Sequence, residues 1–128
     1  MNDNIVRLSV PAEARYARAV RMTAANLAVM CDMAIDDVED LRIAAEEGFV
    51  LACSSQEDRC DISFSVASDR VGVEMSLGPG DLKPDGGDDS LDLVGLLLDT
   101  VCDDFSVNEG ADGRVLRLMK TVGDSDGR

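Results

Sequence analysis

The chain has 128 residues, 45% of them hydrophobic, and its 26 acidic and 12 basic residues give a formal charge of −14 at pH 7. This length and hydrophobic content are typical of one folded domain. No apolar stretch approaches the roughly 18 residues that a membrane-spanning helix needs. The negative charge argues against direct DNA or RNA binding and favours partners with a basic face.

Residues 1–4 do not resemble a signal peptide, so we expect a soluble, cytoplasmic protein with no membrane association. The chain has no histidine, which removes the commonest general base and a frequent zinc ligand. No two of the four cysteines have C-x-x-C spacing; they are Cys31, Cys53, Cys60 and Cys102. We expect small buried side chains in a reducing compartment, with a redox or metal role as the alternative.

The first two elements are a strand and a helix. Apolar and polar residues alternate over 4–10, and Pro11 stops the predicted strand. From Ala12 the apolar period changes to three or four residues, which predicts a helix that ends near Met33. Its buried stripe comprises Tyr16, Val20, Ala24, Leu27 and Cys31.

A second helix is predicted to begin at Asp36, a suitable N-cap or first-turn residue, and to fade at 54–56. Further acidic side chains lie near its positive dipole end. Its predicted buried line comprises Val38, Leu41, Ala45, Gly48 and Ala52. Two alternating segments, 61–67 and 71–77, then predict a hairpin.

The rest of the chain is predicted from turn residues and apolar runs. Residues 78–90 form a loop rich in glycine, proline and aspartate, followed by a helix over 91–102 with Ser90 as its cap. A final pair of strands, 105–109 and 114–122, is joined through 110–113.

The order of these elements predicts an α+β two-layer sandwich. Three helices pack on one face of a mixed, mostly antiparallel sheet of about five strands. We expect residues 1–122 to form a single domain and 123–128 to form a polar tail.

The chain resembles the bacterial anti-sigma factor serine kinases, which share the Bergerat, or GHKL, histidine-kinase-like ATPase fold. The resemblance covers nearly the whole chain and is strongest over 14–47. The motifs that carry it are Arg21-Met22-Thr23, Val38-Glu39-Asp40-Leu41-Arg42-Ile43-Ala44, Leu97-Leu98-Asp99-Thr100-Val101-Cys102-Asp103-Asp104 and Gly113-Arg114-Val115-Leu116-Arg117-Leu118.

The resemblance implies a nucleotide site whose ligands this chain has partly lost. Glu47 matches the family's general base, but Leu51 stands where an asparagine coordinates magnesium. Positions i and i+4 share a helical face, and an isobutyl group offers no oxygen ligand. For the aspartate that recognises adenine, the chain offers Asp81 or Asp85, both away from a strand end. Arg114 replaces a threonine that contacts phosphate.

Glycines in the predicted loop, at positions 78, 80, 86 and 87, have two interpretations. Glycine-rich loops can cradle phosphates with backbone N–H groups. This loop also carries Asp81, Asp85, Asp88 and Asp89 against Lys83 alone. Such a charge repels triphosphate, so we favour a solvated loop. Of the family's glycine pair before the third helix, only Gly95 remains.

On the first helix the resemblance implies a protein-binding face. Arg21 matches an arginine that contacts the sigma factor or the anti-anti-sigma protein in the family. Arg18, three residues earlier, shares its side of the helix, and Ala25 and Ala28 continue that side with small side chains. An ordinary solvated helix face is the alternative.

We therefore expect an anti-sigma-factor-like regulatory protein that binds a sigma factor or an anti-anti-sigma protein, without a cofactor or metal. The family also implies a homodimer. The alternative is an active ATP-dependent serine/threonine kinase with Glu47 as base. It would use ATP and magnesium, with Ser54, Ser55 or loop aspartates as replacement ligands. An accessory subunit of a signalling complex and an acidic mimic of nucleic acid are further interpretations.

Overall fold

A computed structural model of the protein describes residues 4–55, 58–78, 88–110 and 113–122, with the backbone alone for 88–93 and 110. The described residues form five strands and three helices. In chain order these are β1 (Asn4–Pro11), α1 (Ala17–Met30), α2 (Ile35–Ser55), β2 (Arg59–Val66), β3 (Arg70–Leu77), α3 (Asp88–Val101), β4 (Asp104–Gly110) and β5 (Gly113–Thr121).

The strands form one open sheet in the order β1-β2-β3-β5-β4. Every neighbouring pair is antiparallel, so the sheet has no parallel pair within the described strands. The three helices and this sheet make the predicted α+β two-layer sandwich. The prediction of a hairpin after α2 is confirmed, because β2 and β3 pair directly and the Ala67 N–H donates to the Arg70 carbonyl at their turn.

The core lies between the sheet and the helices. Alternate residues of the central strands point toward α2, which follows from the two-residue period of a strand. Fully buried side chains on these strands are Ile62, Phe64, Val71, Val73, Met75, Leu116 and Leu118.

Helix α2 lies close to β5 at Gly48, which has no side chain. A Cβ added at Gly48 would lie 3.1 Å from Leu118 Cδ1 and 3.2 Å from Leu116 Cδ2. Ala44 and Ala45 are fully buried on the same helix. The absence of a side chain at Gly48 therefore sets how closely α2 approaches β5.

Helix α1 is shorter than the prediction from Ala12 to Met33. A separate 3₁₀ turn, Ala14–Tyr16, precedes it, and it ends at Met30. The predicted buried stripe is largely confirmed, with Val20, Ala24 and Leu27 inside the core.

Helix α3 begins three residues earlier than predicted. Its first residue is Asp88, so Ser90 lies within the helix and the prediction of Ser90 as a cap is wrong. Most of the predicted loop, 79–87, lies outside the described residues, as do the turn residues 111–112 and the predicted tail, 123–128. None of the described helices is both long and apolar enough to cross a bilayer.

Candidate functional site

The outward face of α1 carries an arginine followed by apolar side chains. Arg18, Met22 and Ala25 are spaced i, i+4 and i+7, which places them on one face of the helix. Arg18 is exposed, Met22 is 48% exposed and Ala25 is half-buried. The face opposite this row packs into the core. Arg18 and Ala25, which the sequence singled out, therefore lie on one surface together with Met22.

Arg21 is placed differently from Arg18. Its Nη1 lies 3.2 Å from the Glu46 Oε1 of α2, and both side chains are half-buried. Arg21 therefore ties α1 to α2. This contact was not predicted from the sequence. The signal for it was that both residues lie just outside the buried lines of consecutive helices.

Ala28 does not continue the exposed face. It is fully buried, so the prediction that Ala28 extends the side of Arg18 and Ala25 is wrong. Ten residues separate Ala28 from Arg18, which at 100° a residue rotates it about 80° toward the core. Val29, eleven residues after Arg18, takes its place on the outward face.

Glu47 and Leu51 are the residues that the sequence resemblance pairs with a general base and a magnesium ligand. Glu47 is half-buried, whereas Leu51 is only 5% exposed. The Leu51 side chain is apolar and packs inside the molecule. Leu51 offers no lone pair to a magnesium ion, which prefers six oxygen ligands.

Serines that could replace the missing ligand make backbone hydrogen bonds. Ser54 Oγ donates to the Leu51 carbonyl at 2.6 Å, and Ser55 Oγ donates to the Ala52 carbonyl at 3.0 Å. Across the described part of the chain, no three acidic or cysteine side chains are grouped so as to hold a metal ion. The loop aspartates Asp81 and Asp85 lie outside that part.

Gly78 directly follows β3, and both its backbone N–H and its carbonyl oxygen are hydrogen-bonded to side chains. Its N–H donates to Ser55 Oγ at 3.0 Å, and Arg114 Nη2 donates to its carbonyl oxygen. Gly78 is buried and Arg114 half-buried. Arg114, which the resemblance pairs with a phosphate-contacting threonine, here binds the end of strand β3. Gly95, the other glycine of the predicted site, is half-buried near Phe105.

A buried lysine joins the sheet to the start of α2. Lys120 is 8% exposed, and its Nζ lies 3.2 Å from Asp40 Oδ2 and 3.6 Å from Asp37 Oδ1. Burial alone would lower the pKa of Lys120, but the hydrogen bond with Asp40 and the charges of Asp103, Asp40 and Asp37 outweigh it and raise this pKa. The sequence analysis missed Lys120, although it continues the inward row after Leu118.

The cysteines behave as small apolar residues. All four are free; Cys31, Cys60 and Cys102 are buried and Cys53 is half-buried. Burial is the main cause that raises the pKa of Cys60 to about 12 and the pKa of both Cys53 and Cys102 to about 11. These thiols are therefore protonated at neutral pH, when thiols react slowly.

No protein-family model matches this sequence, and no curated protein matches it. The resemblance to the anti-sigma kinases therefore rests on the sequence motifs. The structure shows a two-layer α+β sandwich with an open antiparallel sheet.

Proposed function

We propose that this protein is an anti-sigma-factor-like regulator that acts by binding a protein partner, with nucleotide binding weakened or lost. The observation that carries the proposal is the outward row of Arg18, Met22 and Ala25 on α1. Arginine and methionine are enriched in protein interfaces, and a small residue beside them permits close approach. The partner is a sigma factor or an anti-anti-sigma protein.

The chemistry at Leu51 supports the reduced role of nucleotide. A kinase would need a metal-bound triphosphate beside Glu47, and the buried isobutyl group of Leu51 supplies none of the oxygen ligands for that metal. Binding by shape and charge does not require these ligands.

In this proposal Arg21 has two roles, one in the structure of the protein and one in binding the partner. Its ion pair with Glu46 fixes the position of α1 against α2. A partner carboxylate that also binds Arg21 would have to compete with Glu46. We therefore expect Arg18 and Met22 to contribute more to affinity than Arg21 does.

Calorimetric titration of purified sigma factors and anti-anti-sigma proteins from the same cell tests this surface. We expect Arg18→Glu and Met22→Lys each to lower the affinity for the partner by about tenfold or more. A tenfold loss corresponds to about 1.4 kcal/mol of binding free energy. Arg7→Glu is the matched control, because Arg7 is exposed on β1 in the other layer of the molecule. Wild-type affinity in both α1 variants would show that α1 is not the binding surface.

Titrating the protein with Mg-ATP, in place of a partner protein, distinguishes the regulator hypothesis from the kinase hypothesis. We expect no saturable heat, since Leu51 gives the metal no ligand. Leu51→Asn restores the family's residue and provides the matched comparison. Micromolar binding of Mg-ATP by the wild type would favour the kinase.

A further inference from the structure

Apolar side chains are exposed at the corner where α1 ends and α2 begins. Ile35 is 80% exposed, Met30 is 73% exposed and Val29 is 60% exposed. Among the described residues, Ile35 and Met30 are the most exposed large apolar side chains. We call these three residues, with the cleft beside Met30, the corner surface.

A rigid helix cap holds the corner surface in place. The Met33 N–H donates to the Ala28 carbonyl at 3.2 Å, and the Asp32 N–H donates to the Val29 carbonyl at 3.0 Å. Asp32 has φ 60°, the left-handed conformation that this type of cap requires. Met33 is buried behind the cap. Val29 and Met30 are therefore exposed on a fixed helix end.

A cleft of about 380 Å³ opens next to Met30. It lies between the end of α1 and the turn from β2 to β3, and Met30, Asp32, Val66 and Ser68 contribute to its walls. Cys31 Sγ donates to the Ala67 carbonyl at 3.3 Å and joins those walls. The cleft has the size of a small binding pocket and can receive an apolar side chain.

The charge around the corner surface is negative. Residues 29–36, which connect α1 to α2, include Asp32 and Asp36 and no lysine or arginine. Asp32 lines the cleft, and Asp36 is exposed directly after Ile35. A second copy of this chain, with its own charge of −14, would be repelled here. A segment with basic side chains would be attracted.

We propose that the corner surface binds an amphipathic helix of a protein partner, with an apolar side chain in the cleft and lysines or arginines facing Asp32 and Asp36. Such helices lay apolar anchors into a groove and place their charged residues along its edges. Methionine suits this contact, because its flexible side chain adapts to different partners. The corner lies beyond the Arg18–Ala25 row, and this inference does not depend on the resemblance to anti-sigma kinases.

The probe is a labelled peptide of about 18 residues, or five helical turns, built from leucine and lysine with a helical period. Two control peptides are a scrambled version that lacks the period and a leucine–glutamate version that keeps it. Fluorescence anisotropy measures binding to the full chain. We expect the periodic lysine peptide to bind about tenfold or more tightly than either control.

Met30→Asp and Ile35→Asp distinguish binding by charge attraction alone from binding through apolar contacts at the corner surface. Each substitution adds a negative charge, so a purely electrostatic contact with the lysine peptide would strengthen. We expect both variants to weaken binding by about tenfold, whereas Met22→Asp, eight residues before Met30 on α1, leaves it unchanged. Met22→Asp impairs the proposed function and spares the corner, so the two proposals fail separately.

Three outcomes would overturn the proposal. The scrambled peptide could bind as well as the periodic one, or Met30→Asp and Ile35→Asp could leave the affinity unchanged. The third is a concentration-dependent dimer in sedimentation that Met30→Asp abolishes, which would show that a second copy covers the corner surface.

Discussion

Arg21 of α1 and Glu46 of α2 form a half-buried ion pair, with Nη1 3.2 Å from Oε1. The residue that resembles a partner-binding arginine is thus held within its own molecule. The pair connects the helix that presents the Arg18–Ala25 row to the helix that packs on the sheet. Its contribution to the orientation of α1 can be measured separately from any contribution to partner binding.

A double-mutant cycle with Arg21→Met and Glu46→Gln measures this ion pair. Methionine keeps much of the apolar stem of arginine, and glutamine keeps the size of glutamate. We expect a coupling free energy of about 0.5–1 kcal/mol, because the pair is shielded from solvent only in part. Urea unfolding of the four proteins gives this value, and additive effects would show that the contact does not stabilise the fold.

Gly95→Ala and Gly48→Val should change the stability of the fold in opposite directions. Gly95→Ala should raise the free energy of unfolding by about 0.5–1 kcal/mol, because alanine favours a helix and the new Cβ lies 4.0 Å from Phe105 Cζ. Gly48→Val should lower it by about 1–3 kcal/mol, since its Cβ would press on Leu116 and Leu118.

Thermal or urea unfolding compares the two glycine variants. Gly48→Ala, in which the gain in helix propensity opposes the close contact, should fall between them. A Gly48→Val protein as stable as the wild type would mean that α2 does not lie as close to β5 as described.

Lys120→Met should lower the free energy of unfolding by about 1–3 kcal/mol at pH 7, because the carboxylates of Asp37 and Asp40 lose a nearby cation. The effect should shrink in acid. The pKa of Asp103 is lowered: burial would raise it, but hydrogen bonds from Thr121 and the charge of Lys120 outweigh that effect. The contribution of Asp103 to stability is therefore present above the ordinary aspartate pKa of about 3.9. It is lost as the pH falls through the lowered pKa of Asp103.

In alkaline solution the contribution of Lys120 to stability falls as the pH rises. The pKa of Lys120 is raised, so its contribution is complete below the ordinary lysine pKa of about 10.4 and is lost as the pH rises through the raised value. Urea unfolding of wild type and Lys120→Met between pH 3 and pH 11 should show the largest gap near neutrality. A gap that does not vary with pH would contradict the assigned ion pairs.

The thiols of the native protein should react slowly with a disulfide reagent at pH 8. Burial raises the pKa of Cys60 to about 12 and that of Cys102 to about 11, so few thiolates are present. Folding raises these pKa values. The contribution of the thiols to stability is therefore complete below the ordinary thiol pKa of about 8.5, and this contribution is lost as the pH rises toward 11–12. Labelling as fast as in denaturant would exclude this burial.

Periodicity predicted most of the fold because burial on one face leaves a regular mark on the sequence. Val20, Ala24 and Leu27 mark α1, and the alternation around Phe64 and Val73 marks the hairpin. Periodicity did not predict the start of α3, because Asp88, Asp89 and Ser90 are all residues that begin helices well. The sequence predicted a mostly antiparallel sheet, and the structure shows that every pair of described strands is antiparallel.

Side-chain pairs of the candidate site were harder to predict than its helices. The face shared by Arg18 and Ala25 follows from helical geometry alone, and so does the common side of Glu47 and Leu51. The contact between Arg21 and Glu46 depends on how two helices are rotated against each other, which the sequence does not specify.

We propose that the protein binds its partner without nucleotide. Measuring the affinity of the purified chain for candidate sigma factors and anti-anti-sigma proteins, with and without Mg-ATP, tests this proposal. We expect the same affinity in both conditions, within about twofold, and no phosphate on the partner by mass spectrometry. Binding that requires Mg-ATP, or a partner phosphorylated on serine or threonine, would contradict it.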